Sequence, residues 1–192
     1  MNPAPWPTIR KAQRVMGKTL TFRDADVDDA AFILSLRNDE KKSAYLSAVS
    51  TDISAQQAWL EGYASATDQA YFIIECQDEP IGTIRLYDAQ EDSFCWGSWI
   101  LKDGGPSHAA IESALMVYAY AVDYLGFKRA HFTVHKGNQR VWEFHERFGA
   151  QRVDEAEGEY LYSVSSTAIE QSRIKYAKFL AGSVAVPNGL NK

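Results

Sequence analysis

A chain of 192 residues, 46% apolar and 23% charged, is long enough to build one domain around a core and has the composition of an ordinary globular protein. Its formal net charge of −5 lacks the basic excess of a nucleic-acid surface, although local donors could still hold a small anion. Cys76 and Cys95 lie in apolar runs with no CxxC pair, and no apolar run reaches about 18 residues, so the reading is a cytoplasmic chain with no disulfide framework, no signal core and no membrane span.

Residues 1–18 read as an N-terminal extension. Residues 19–25, TLTFRDA, alternate apolar and polar side chains as a first strand does. The stretch 26–39 offers acidic residues for a helix start and apolar positions at Ala30, Ile33, Leu34 and Leu36. A second helix is predicted over 50–65, capped by Asp52 or Ser54. AYFIIECQ (70–77) and IGTIRLYDA (81–89) form a hairpin around a DEP break, and DSFCWGSWIL (92–101) is a third strand, dense in aromatics. KDGGPS is a loop by composition. From Ile111, apolar residues recur at Ala114, Leu115, Tyr118, Ala121, Val122 and Leu125, a helical template held for about four turns until Gly126. RAHFTVH (129–135) is a strand, 138–148 a helix, 159–166 a late strand and 167–182 a C-terminal helix, after which the tail is expected to fray. Hairpin-type strands between helical units imply an α/β (α+β) fold. The expected sheet is mixed and mostly antiparallel, flanked by helices on both faces, over 19–166, with a C-terminal helix and tail over 167–192.

Four stretches stand in register: GSWIL (97–101), GGPSHAAIE (104–112), YAVDYLGF (120–127) and NQRVWEFHERFGA (138–150). With the element order they resemble the GNAT superfamily of acyl-CoA-dependent N-acetyltransferases over residues 20–165. The resemblance implies acetyl-CoA as co-substrate, no metal, and a V-shaped gap between strands 92–101 and 129–135 that receives it. It implies that backbone groups at Trp99, Ile100 and Leu101 pair with the pantetheine arm. The pyrophosphate would lie on the turn and helix start at Ser107, His108, Ala109 and Ala110, with Asn138 and Arg140 near CoA as well. A helix N-terminus presents unpaired N–H groups and a positive dipole end, which suits phosphate without side-chain charge. The family's turn glycines fall here on Pro106, His108 and Ala110. Either the turn is remodelled, with His108 donating to phosphate, or CoA binding is weakened.

Amide formation from a thioester needs a neutral amine, a donor to the oxyanion and a proton for the departing thiolate. The family's glutamate base falls on Cys95, and Glu75 and Asp88 on neighbouring strands are alternatives that nothing selects. The family's tyrosine acid falls on His145, the one catalytic residue the resemblance implies. At about 100° per residue, with Val141 at zero, Phe144 and Phe148 join Val141 in a core stripe, and His145 and Asn138 share its flank at about +40° and +60°. A histidine there titrates near 6.5 and would need a raised pKa, so activity should fall as pH rises through it. His131 and His135 would sit about 13 Å apart on a strand, too far for one metal ion.

On the acceptor side, Arg37, Trp59, Arg85 and Tyr87 resemble the branch that acetylates 4-amino sugars on nucleotide carriers, arginines suiting a diphosphate and aromatics suiting stacking. The expected partner is a small-molecule amine, with neither nucleic acid nor membrane, and a homodimer is one option. Two alternatives stay open: a protein or peptide N-terminal acetyltransferase, and a non-catalytic acyl-CoA-binding protein.

Overall fold

The computed structural model describes residues 5–39, 44–45 and 50–190. One sheet contains β1 (Arg14–Met16), β2 (Leu20–Asp24), β3 (Ala70–Cys76), β4 (Glu79–Gln90), β5 (Ser93–Leu101), β6 (Arg129–His135), β7 (Gln151–Ala156) and β8 (Glu159–Val164). Its order is β1-β2-β3-β4-β5-β6-β8-β7, antiparallel throughout except where β5 and β6 run parallel. The helices are α1 (Ala30–Arg37), α2 (Ile53–Ser65), α3 (Ala109–Ala119), α4 (Gln139–Arg147) and α5 (Ser166–Lys175).

The alternation of β3 builds two cores at once. Ala70, Phe72 and Ile74 enter the larger core, which contains α3 residues, while Tyr71 and Ile73 pack with Ile33 of α1 and with Leu60 and Tyr63 of α2 on the other face. Each of these large side chains contributes about 1.5–3 kcal/mol by leaving water. Local chemistry starts the helices where the sequence predicts. Asp26 and Asp29 form a reciprocal capping box ahead of α1, and the Asp52 carboxylate accepts from the Ser54 amide at the start of α2.

Four elements depart from the sequence reading. The stretch expected as an N-terminal extension supplies β1 and buries Ile9, Ala12 and Val15. The tail expected to fray returns to that edge: Ala185 pairs with Met16 and Leu190 with Ala12, while Leu180 and Val184 are buried. Residues 1–4 and 191–192 lie outside the described residues. β7, QRVDEA, was invisible to periodicity because every one of its residues is exposed, so no apolar alternation marks it. Finally, α3 stops at Ala119 and the chain widens into a π-helical turn over Tyr120–Tyr124. The Tyr120 hydroxyl there donates to the Arg10 carbonyl and that of Tyr124 to the Val184 carbonyl. The expected single stripe fails on α3 because Glu112 through Ala119 are all buried.

Two irregularities open the centre of the sheet. β5 and β6 pair only over Ser93–Cys95 and Arg129–His131 and then separate, which leaves the rest of that edge of β5 without a strand partner among the described residues. On its other side β5 carries one extra residue between Gly97, opposite Arg85, and Ile100, opposite Thr83. Ser98 takes up the bulge with φ 47, and the buried Thr83 hydroxyl donates to its carbonyl at 2.8 Å.

Candidate active site

The V between β5 and β6 has an aromatic wall on its α4 side. The His145 ring lies 4.2 Å from Phe132, 5.1 Å from Trp96, 5.8 Å from Phe144 and 6.0 Å from Trp99, centroid to centroid. His145 is only 5% exposed, whereas Val141 and Phe144 are half-buried. The expected stripe is therefore rotated: His145 and Phe148 point inward, and the histidine is part of the core rather than its flank. Burial pushes its pKa down to about 3, opposite to the raised value a cationic acid would need. It is a neutral imidazole at physiological pH. Its Nδ1 is sealed from solvent and has no hydrogen-bond partner among the described residues.

Trp99 reaches across this wall, its indole N–H donating to Ser113 Oγ of α3 at 3.1 Å and its ring 5.0 Å from that of Phe144. Ile100 is buried and Leu101 half-buried on the same arm. Asn138 is the N-cap residue of α4, yet its side chain makes no capping bond, and Arg140 is exposed on the first turn.

The start of α3 answers the question posed by its missing glycines. Ser107 and His108 form the turn, the helix begins at Ala109, and no side chain caps it. The His108 imidazole is held by the Thr19 hydroxyl at 2.7 Å and lies 3.6 Å from Glu112. It is turned toward β2 instead of waiting as a free phosphate donor. Glu112 is fully buried and accepts from the Thr19 amide, the Thr19 hydroxyl and the Leu20 amide at 2.6, 2.6 and 3.0 Å. A carboxylate in the first turn complements the helix dipole and fastens α3 to the entry of β2. The helix start, the unpaired arm of β5 and the sealed His145 nitrogen thus fit an elongated ligand carrying a phosphate at one end and a thioester at the other. The backbone at Trp99–Leu101 and at Ser107–Ala110 would hold it.

On the opposite face of the sheet the four acceptor-side candidates converge. Arg37 of α1, Trp59 of α2 and Arg85 and Tyr87 of β4 line one cavity of about 390 Å³, joined by Tyr71 and by the bulge residue Ser98. The Arg85 guanidinium lies 5.3 Å from the Trp59 ring and 4.8 Å from that of Tyr87, while its buried Nε has no partner among the described residues. Arg37 hydrogen-bonds Tyr71. The Tyr87 hydroxyl hydrogen-bonds the Cys95 thiol, and a Cβ at Gly97 would lie 3.0 Å from that hydroxyl, so a larger residue there would push the Tyr87 ring end by a few tenths of an ångström. Gln56, Tyr71 and Ser98 escaped the sequence reading. Only the Gly97–Ser98 pair inside an aromatic strand signalled a bulge. Among the described residues no group of three His, Cys, Asp or Glu side chains could hold a metal ion, and no helix is long and apolar enough to cross a membrane.

The family model for an acetyltransferase (GNAT) domain matches residues 19–151. The chain belongs to the GNAT acetyltransferase family. A solved structure titled as the apo form of FdhC, a nucleotide-linked sugar GNAT, is 39% identical with a TM-score of 0.78, over 88% of this chain and 98% of that one. At the level of fold alone, this GNAT resembles a GCN5-related N-acetyltransferase from Brucella melitensis. That protein has 16% identity and a TM-score of 0.76, over 93% of this chain and 90% of the other. It also resembles spermidine N-acetyltransferase from Vibrio cholerae, solved with CoA and spermine: 14% identity and a TM-score of 0.69, over 79% of this chain and 98% of the other. A search of curated proteins finds no match. The chain is therefore an acyltransferase of GNAT type, and acetyl-CoA is the acyl donor that family uses.

Proposed function

We propose that this enzyme transfers acetyl from acetyl-CoA to the amine of a nucleotide-linked sugar, with a 4-amino sugar as the acceptor. The observation that carries the reading is the acceptor cavity: its described lining includes two arginines, Arg37 and Arg85, three aromatic rings and no carboxylate. A polyamine would need acidic groups there. A diphosphate finds guanidinium donors, which bind phosphate oxygens in a fixed fork, and a base or sugar ring finds aromatic faces. The 39% identity to a nucleotide-linked sugar GNAT points the same way.

Acetyl-CoA supplies the activated thioester. The chain's own groups hold the acceptor at the bulge of β5, keep bulk water from the aromatic wall, and offer the thiolate a hydrogen bond from neutral His145. An imidazole N–H serves this purpose without a cation. Thiol release from acetyl-CoA with a nucleotide-linked 4-amino sugar, a peptide with a free N-terminus and spermidine tests the acceptor class: turnover is expected with the sugar only. Arg85→Ala is expected to raise the sugar's KM by about 10–10²-fold with little change in kcat, because a charge-assisted bond made in ground and transition states alike is lost. Equal turnover of the peptide, or an unchanged KM in the variant, refutes the assignment.

A further inference from the structure

The reaction needs a group that takes a proton from the attacking amine. The glutamate position of the family carries Cys95, whose thiol burial pushes up to about 11, and the neighbouring Tyr87 phenol is raised by burial too. Neither accepts a proton near neutrality. The other arm of the V does offer a base. Ala130, Phe132 and Val134 enter the larger core, so the pleat turns His131, Thr133 and His135 toward the face that holds the acceptor cavity. His135 accepts the Gly137 amide on Nδ1 at 3.0 Å and packs on Tyr45. His131 stands at the apex itself, opposite Cys95 in the last β5–β6 pair.

Both nitrogens of His131 are engaged in a directed way. Nε2 lies 3.2 Å from Asp88 Oδ2 and Nδ1 lies 2.7 Å from Ser93 Oγ. Asp88 reaches across β5 because its backbone is left-handed, φ 49, in the irregular stretch between Tyr87 and Gln90. Aspartate tolerates that conformation better than most residues, and such outliers cluster at functional sites. Gln90 Nε2 donates to the same carboxylate oxygen at 2.7 Å. A carboxylate on Nε2 fixes the hydrogen there, so the Nδ1 lone pair accepts from the Ser93 hydroxyl.

We propose that the Asp88–His131–Ser93 chain, with His131 at the apex of the V and the buried Ser93 two residues below it, is the proton acceptor of the transfer. A water takes the proton from the amine, the Ser93 hydroxyl takes it from the water, and the hydroxyl's own proton moves to His131 Nδ1. The N–C bond forms as the C–S bond breaks, the thiolate leaves with the electron pair, and Asp88 stabilises the imidazolium. The Asp88 side chain is 55% exposed, which gives the proton a way out to solvent. The other groups around His131 are Cys95 from β5, whose thiol interacts with Tyr87 and Arg85 of β4, the uncharged Ser163 from β8, and Arg129 on its own strand, which pairs with Asp92 and Glu91.

This inference rests on acetyl transfer by the chain, and the acceptor class enters only through the amine used. The test takes the amine that the wild type acetylates fastest among the nucleotide-linked 4-amino sugar, the peptide and spermidine. His131→Gln keeps a donor to Asp88, and Asp88→Asn removes the charge. Both are expected to lower kcat/KM at pH 7 by about 10²-fold, to keep acetyl-CoA affinity, and to regain about tenfold as rising pH deprotonates the amine itself. If His131→Gln also loses acetyl-CoA binding, Asp88→Asn decides by the same readout. Variants within about threefold of wild type across the pH range overturn the proposal, as does a wild type that acetylates none of the amines. A wild type that prefers the peptide refutes the acceptor class and still reads the base.

Discussion

Replacing His145 with phenylalanine is expected to make the enzyme more acid-resistant and much slower. The imidazole sits among Trp96, Trp99, Phe132 and Phe144, a site that another aromatic ring fits. In the unfolded chain it titrates near 6.5, and in the fold near 3. Its contribution to stability is therefore complete above pH 6.5 and is lost as pH falls toward 3, at about 1.4 kcal/mol per unit. Between pH 7 and pH 5 the wild type should lose about 2 kcal/mol from this group alone, and His145→Phe should not. Urea unfolding at the two pH values measures the difference; parallel losses in both proteins would contradict the buried neutral state. For activity, loss of the proposed hydrogen bond to the thiolate should lower kcat by about 10²-fold. The wild-type rate should show no limb from His145 between pH 6 and 9, because the group is already neutral there. This reverses the expectation that activity falls as pH climbs through a histidine near neutrality.

Glu112→Ala is expected to cost about 3 kcal/mol in stability and to weaken acetyl-CoA binding together with it. The carboxylate is fully buried and closes three hydrogen bonds from Thr19 and Leu20. Without it the buried Leu20 amide and the part-buried Thr19 amide lose their acceptor, and an unsatisfied buried donor costs about 1–3 kcal/mol. Glu112→Gln keeps Oε1 as the acceptor of both amides, and its NH2 can donate to the Thr19 hydroxyl, so it should recover most of the loss. Because the same contacts seat the first turn of α3, acetyl-CoA Kd should rise in proportion to the loss. A variant with wild-type urea midpoint and affinity would show that the helix start does not depend on this anchor.

Much of this was readable from residues alone. The alternation of β3, the capping residues of α1 and α2 and the hairpin around residues 77–80 are local, and local chemistry decides them. Arg37, Trp59, Arg85 and Tyr87 come from three elements far apart in sequence, and family resemblance, not periodicity, singled them out before the fold brought them to one cavity. The failures are equally physical. Setting Val141 at the centre of the α4 stripe assumed that apolar residues define the buried face; Phe132 and Trp96 instead draw the histidine inward. The Asp88–His131 pair requires a left-handed aspartate and a reach across β5, and neither leaves a trace in spacing. β7 shows no apolar pattern because every one of its residues is exposed.

The two rims of the sheet are finished differently. At β1 the returning tail occupies the rim through Ala185 and Leu190, whereas β7 ends the sheet with bare backbone guarded by Arg152, Asp154 and Glu155. Charged side chains on an open rim discourage another chain from adding itself as a strand, and a covered rim needs no such guard. A shortened protein lacking residues beyond 183 would uncover a rim whose strand, RVM, carries Val15 and Met16 and a single charge. Self-association and loss of solubility, rather than loss of catalysis, would be the first symptom of trimming that tail.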